Sequence, residues 1–250
     1  MTNNNLINEP LNQFDKQNAF SHFINKFKEE CSIISDIFIG ILETNNVCLK
    51  CKDSYRAHKL AHPIIYGYDK FSYIEFPIEE VRYKKIANPY LNNNQIIENS
   101  TISLYDCFNH YQKKNIFEAN KNNICNMCKQ PSVHEFTKKI YSCPNHLILV
   151  ITKNEKNDIK LVINEIIDIT EFIIQKEKEL PKITYSLYGL ISKIKKENSN
   201  PYYIASCKSP IDLKWYRYNN DEVTPINNIQ KEVICYGKPC ILFYKKNEPK

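Results

Sequence analysis

Two cysteine pairs, Cys48-x-x-Cys51 and Cys125-x-x-Cys128, constrain this chain more than any other feature. A CxxC turn sets two sulfurs about 3.5–4 Å apart, and two such turns complete a closed, tetrahedral four-cysteine site of the structural zinc kind. The pairs lie far apart in sequence. A fold that joins them must bring two turns, carried on different hairpins, to one place. The competing readings are disulfides and two unrelated pairs of free thiols. Ligand spacing in both pairs favours one zinc held by Cys48, Cys51, Cys125 and Cys128. His58, His62 and His134 are near the knuckles in sequence, but a lone histidine is more often a packing or surface residue, so they are not counted as ligands. The other cysteines, Cys31, Cys107, Cys143, Cys207, Cys235 and Cys240, sit in or beside apolar patterns, where cysteine acts as a small hydrophobe.

Compartment bears on the choice between zinc and disulfides. The opening stretch, MTNNNLINEP, is polar and lacks the apolar core of a signal peptide. The expectation is an intracellular protein of cytoplasm or nucleus, where thiols and metal ligands prevail over disulfides. Apolar runs such as Leu147–Ile151 are too short to span a bilayer, so no membrane partner is expected. The net charge of +6 is dispersed, which argues against a nucleic-acid partner. With only four glycines and no GxGxxG or Walker pattern, the chain offers no phosphate cradle. Its 250 residues suffice for a sizeable core in one or two domains.

Along the chain, residues 1–12 read as a disordered lead. Phe20, Phe23, Ile24, Phe27 and Cys31 recur at helical spacing and predict an amphipathic helix over Asp15–Cys31. Ser32–Leu42 reads as the start of a strand, and Phe71–Ile78 as a strand closed by Pro77. Asn154–Asp158 and Lys193–Asn200 are polar connections. Tyr202–Lys208 and Leu213–Asn219 are strand-like, with the turn composition Ser209-Pro210-Ile211-Asp212 between them. A hairpin closed by Lys208 facing Leu213 sets Tyr202 opposite Asn219, close enough to interact.

This C-terminal run, PYYIASCKSPIDLKWYRYNNDEV followed by KPCILFYKK, resembles the closing segment of the ubiquitin-specific protease family of deubiquitinases. Other segments resemble the same family. KQNAFSHFINKFKEECSIISDIFIGIL is similar to its helix that begins near Gln-Asp-Ala-x-Glu-Phe and runs into Ser-Leu-Ile-x-Asp-Leu-Phe-x-Gly, Thr101–Tyr111 to its Ser-Leu-x-Asp-Cys-Leu helix, and Cys143–Lys153 and Thr184–Ile191 to two of its strands. The resemblance covers about residues 13–245. It implies a β-rich α+β, papain-like cysteine-protease fold with a zinc-ribbon site. In those terms 13–34 is a thumb-remnant helix, 35–142 the fingers with the zinc knuckles, and 143–250 the palm, the thumb being mostly missing. It also implies a catalytic His and an Asp or Asn in the final segment. Tyr202 stands at the His position and Asn219 at the acid position. Asn can orient an imidazole, but a phenol, with an ordinary pKa of about 10, is a poor base for a thiol. None of the six histidines follows His146. The family's Gly-Leu-x-Asn-x-Gly-Asn-x-Cys-Tyr box, with its nucleophile, does not occur in the sequence.

The expectation is therefore a catalytically inactive pseudoenzyme that binds ubiquitin or a ubiquitinated protein, or acts as a scaffold. A further protein partner is expected over the Phe20, Phe23 and Phe27 face, which the family's missing lobe would otherwise cover. The alternatives are a cysteine-type deubiquitinase whose catalytic lobe is elsewhere or supplied in trans, and a zinc-ribbon nucleic-acid module.

Overall fold

Alternating apolar residues, many of them β-branched or aromatic, dominate the second half of the chain, and that pattern builds half-buried strands. The structure, a computed structural model, describes residues 33–58, 64–86, 101–120, 124–153, 159–174, 181–194, 202–234 and 238–248. The lead, the helix expected over Asp15–Cys31 with Phe20, Phe23 and Phe27, the connection at 154–158 and Cys235 lie outside the described residues.

In chain order the elements begin with α1 (Ile33–Phe38), β1 (Gly40–Cys48), α2 (Leu49–His58), β2 (Ile64–Phe71), β3 (Ile74–Pro77) and α3 (Ile78–Ile86). There follow β4 (Thr101–Ser103), α4 (Leu104–Tyr111), β5 (Asn115–Phe117), β6 (His134–Ser142), β7 (His146–Thr152), β8 (Lys160–Val162) and β9 (Ile166–Asp168). The last strands are β10 (Thr184–Ile194), β11 (Tyr202–Lys208), β12 (Trp215–Asn219), β13 (Glu222–Ile226) and β14 (Lys238–Lys246). The architecture is thus mostly strand with a few short helices, an α+β arrangement.

Two compact units are present. One contains Ile41–Lys70 and Gln112–Tyr141; the other contains Ile33–Gly40, Phe71–Tyr111 and the chain from Ser142 onward. The first holds a four-stranded sheet ordered β2-β1-β6-β5. The second holds an eight-stranded sheet along the path β13-β12-β11-β10-β14-β7-β3, with β9 also pairing to β10. All its pairings are antiparallel except β3 with β7, where Ile74 lies opposite Leu149.

The core of the second unit follows from the alternation along β7 and β10. Leu147 and Leu149, with Tyr185, Leu187 and Leu190, face inward with Leu242 and Tyr244 of β14. The two buried phenols keep partners, as buried Tyr must: Tyr185 donates to the Pro144 carbonyl at 2.5 Å and Tyr244 to the Asn164 carbonyl at 2.7 Å. Phe108 of α4 lies edge-on to Phe76 and stacks on Phe172, each at 5.1 Å between centroids.

Three expectations change. Ser32–Leu42 is not the start of a strand over its first part: Ile33–Phe38 form α1, closed by Ile39 N–H donating to the Ser35 carbonyl at 3.0 Å. A short apolar run does not distinguish helix from strand by pattern alone, and the strand begins only at Gly40. The strand expected over Phe71–Ile78 is divided: Phe71 ends β2, and β3 runs from Ile74 to Pro77. The C-terminal hairpin pairs two residues further along than expected, with Lys208 opposite Trp215 and Ala205 opposite Tyr218. Leu213, apolar and next to a strand, adopts φ 59° and closes the turn instead. Its amide donates to the Ser209 carbonyl at 3.0 Å, and Ser209 N–H donates to the Lys214 carbonyl at 2.8 Å.

Candidate functional site

The first knuckle grows out of β1. Cys48 ends the strand and α2 begins at the next residue, so Cys51 falls in the first helical turn. The second knuckle lies between Ile124 and Pro131, which form an isolated antiparallel bridge. Its turn is closed by Lys129 N–H donating to the Cys125 carbonyl at 2.9 Å and Cys125 N–H to the Gln130 carbonyl at 3.1 Å. Lys129 takes a left-handed conformation, φ 54°, to reverse the chain after Cys128. The knuckles are tied together through their surroundings. Leu49 N–H donates to the Val133 carbonyl at 2.9 Å, Lys50 donates to Gln130, and Lys52 pairs with Glu135 at 3.1 Å. Glu135 also accepts from Lys114, and these two lysines hold its carboxyl below the usual carboxylate range.

The result is a cluster in which the sulfurs of Cys48, Cys51, Cys125 and Cys128 all lie within 4.8 Å of one another. The Cys51 and Cys125 sulfurs are 3.7 Å apart. A tetrahedral zinc with bonds of about 2.3 Å holds its sulfurs about 3.8 Å apart, so this donor set fits such an ion. Backbone amides point at the sulfurs, Cys51 N–H at Cys48 (3.5 Å) and Met127 N–H at Cys125 (3.4 Å). Amides aimed this way stabilise thiolates.

The electrostatics of the four thiols are uneven. Burial works against the Cys48 thiolate, but hydrogen bonds from the Ser132 hydroxyl and the Cys51 amide and thiol outweigh it and bring its pKa down to about 7. Burial and the neighbouring sulfurs push Cys51 well above the ordinary thiol range. Such a crowded set is poised to share a cation rather than to ionise unaided.

Behind Cys48 stands a polar row that motif spacing does not reveal. The Ser132 hydroxyl is 3.1 Å from the Cys48 sulfur and 3.1 Å from Nε2 of His134. Nδ1 of His134 is 2.8 Å from Oδ1 of Asn46. Ser132 and His134 are each 5% exposed. Burial holds the His134 imidazole below its ordinary range, which favours the neutral ring. His134 is thus placed behind the cluster, not in it. The side chain of His58, and His62, lie outside the described residues.

The remaining described cysteines are not activated thiols. Burial raises Cys107 to about 12 and Cys143 to about 11, and also raises Cys207 and Cys240. A reactive cysteine needs the opposite shift.

At the C-terminal hairpin, Tyr202 is the first residue of β11 and pairs with Ile194 of β10. Asn219 is the last residue of β12 and pairs with Glu222 of β13. The β11–β12 ladder ends at Ala205 and Tyr218, so Tyr202 and Asn219 are not a directly facing pair. Extended by the same register, Asn219 falls opposite Ile204. In that register Tyr202 and Asn219 share the same facing parity, but the observed ladder does not reach them.

The sequence model of the ubiquitin carboxyl-terminal hydrolase family matches residues 5–244. The chain belongs to this family. It is similar to ubiquitin carboxyl-terminal hydrolase 2 of Gallus gallus, 24% identical over 89% of this chain and 55% of that protein. It is 21% identical to the Rattus norvegicus protein of the same name, over 89% of this chain and 32% of that one. The chain therefore spans about half or less of the length of these curated relatives.

Solved structures show a similar fold. A chain of the yeast SAGA DUB module superposes with a TM-score of 0.63 at 19% identity, covering 92% of this chain and 46% of that one. A chain of the SAGA Ubp8/Sgf11/Sus1/Sgf73 DUB module bound to ubiquitin aldehyde gives 0.62 at 20% identity, covering 95% and 50%. In this hydrolase fold the four-cysteine cluster sits in the four-stranded unit, and the hairpin bearing Tyr202 and Asn219 belongs to the eight-stranded sheet.

Proposed function

We propose that this chain is a catalytically inert member of the hydrolase family that binds ubiquitin or ubiquitinated protein, or scaffolds a complex. In this reading the four-stranded unit is the fingers, stapled by one structural zinc on Cys48, Cys51, Cys125 and Cys128. The eight-stranded sheet is the palm. One observation carries the loss of chemistry: Tyr202 heads β11 where the family resemblance implies the catalytic His, and the sequence has no imidazole after His146. A phenol there does not take a thiol proton at neutral pH. The raised pKa values of Cys107, Cys143, Cys207 and Cys240 add support, since none offers a thiolate to an acyl carbon.

Ubiquitin binding is supported by fold neighbours solved with ubiquitin aldehyde and, for a cysteine-to-alanine Ubp8 module, with monoubiquitin. A second reading is an active deubiquitinase whose catalytic lobe is supplied by another chain. It draws on the chain spanning about half of its chicken relative. Tyr202 counts against it, because a supplied lobe would not restore the imidazole.

Two measurements test the proposal. Ubiquitin carrying an electrophilic C-terminus should label no cysteine of the purified protein; a stoichiometric adduct overturns inertness. Titration of labelled ubiquitin should give saturable NMR shifts. Unshifted spectra at millimolar protein would rule out ubiquitin binding and leave the scaffold role.

A further inference from the structure

We propose that Ser132, His134 and Asn46 form the outer shell of the metal centre, with Ser132 as the positioning donor to Cys48 and His134 setting which way its hydroxyl points. This inference rests on the four cysteines holding a metal. It concerns residues that the CxxC pairs do not identify.

The row runs Cys48 Sγ, Ser132 Oγ, His134 Nε2, His134 Nδ1, Asn46 Oδ1, with separations of 3.1, 3.1 and 2.8 Å across the three contacts. A serine hydroxyl has one hydrogen to give. If Cys48 is a thiol, its S–H is able to donate to Ser132, the Ser132 O–H to Nε2, and Nδ1–H to the Asn46 oxygen. Every contact is then satisfied in one direction. A metal-bound cysteine is a thiolate, which only accepts. Ser132 must then give its hydrogen to sulfur, and Nε2 must carry a hydrogen to donate to Ser132. The neutral ring then accepts at Nδ1, and the Asn46 side chain turns its amide nitrogen toward it. Asn has both a donor and an acceptor at that end, so the reversal requires only an amide flip.

Burial makes this direction matter. Cys48 is 3% exposed, and Ser132 and His134 are 5% exposed, so water cannot readily substitute for a mispointed hydrogen. Outer-shell partners of this kind fix ligand orientation and raise affinity.

The test uses the full chain, cobalt(II) as a spectroscopic probe and zinc in chelator competition. Ser132→Ala is expected to weaken both ions by about 10–100-fold. Ser132→Thr, which keeps the hydroxyl, should restore most of that affinity. His134→Ala should also weaken binding, while Ser132→Ala with His134→Ala should bind no more weakly than Ser132→Ala alone, because His134 acts through Ser132. Nitrogen-15 spectra of the zinc-loaded wild type should show a hydrogen on Nε2 of His134. This readout needs no variant to fold. A loaded protein with bare Nε2, or a Ser132→Ala protein that binds as tightly as wild type, overturns the outer-shell role and leaves the four-cysteine reading standing. A wild type that takes up neither ion overturns both.

Discussion

Replacing Asp106 tests how the second unit is held together, because this one carboxylate ties three elements. The sequence Ser103-Leu104-Tyr105-Asp106 is a capping box at the start of α4. Asp106 Oδ2 accepts from the Ser103 amide at 2.9 Å and from its hydroxyl at 2.8 Å, while the Asp106 amide donates back to Ser103 Oγ at 3.1 Å. Lys85, in the last turn of α3, pairs with the same oxygen at 2.9 Å and also donates to the Thr101 carbonyl of β4. Losing a cap costs about 0.5–2 kcal/mol, and a partly exposed ion pair is worth about 0.2–1 kcal/mol. Asp106→Ala should therefore destabilise by about 1–3 kcal/mol, through the helix that buries Cys107 and Phe108. Asp106→Asn keeps an acceptor and loses the charge, so it should cost about half as much. Burial tends to raise the Asp106 pKa, but the Lys85 ammonium and the Ser103 amide and hydroxyl outweigh burial and hold it below the usual carboxylate range. A group depressed on folding stabilises fully above its unfolded pKa of about 3.9 and loses that contribution as pH falls through the folded value. The gap between wild type and Asp106→Asn should thus be constant near neutrality and close below about pH 3.9. Urea unfolding followed through Trp215, the single tryptophan and buried in the same unit, measures both effects. If both variants unfold within about 0.5 kcal/mol of wild type, the scale of an ordinary surface substitution, Asp106 does not cap α4 to any energetic effect.

Three further outcomes are expected. Leu213→Gly should stabilise the hairpin by up to about 1 kcal/mol in the same assay, because a left-handed Leu costs about 1–2 kcal/mol and glycine gives part of that back through unfolded-chain entropy. Gly40→Ala should destabilise by about 1–3 kcal/mol. A Cβ at that position meets the Phe71 ring and comes within 2.8 Å of the Ser142 carbonyl, and urea midpoints will show whether the neighbours can give way. Pure protein should carry close to one equivalent of zinc by elemental analysis. Stripping it, or Cys125→Ser, should lower protection of β1 and β6 amides in hydrogen exchange more than that of β10 and β14, and uniform protection would argue against a structural staple there.

What the sequence determined by itself is chemistry carried by local spacing. The pairing of the four cysteines into one cluster and the β11 strand follow from motif spacing and strand composition, and the α4 helix and the β7 and β10 strands follow, within a few residues, from segments that resemble the family. So does the identity of the residues at positions 202 and 219. What only the tertiary structure decided depends on distant contacts. The shift in the β11–β12 pairing turns on Leu213 adopting a left-handed φ, which its apolar side chain does not announce. The short helix before Gly40 comes from an apolar run that suits either helix or strand. The distribution of residues 41–141 between two units reflects sheet pairing across long separations, which no window of sequence contains. The row from Cys48 through Ser132 and His134 to Asn46 joins residues that are neighbours only because β1 and β6 lie side by side in one sheet. Spacing can nominate a ligand, but the group that aims a hydrogen at it is found only by folding the chain.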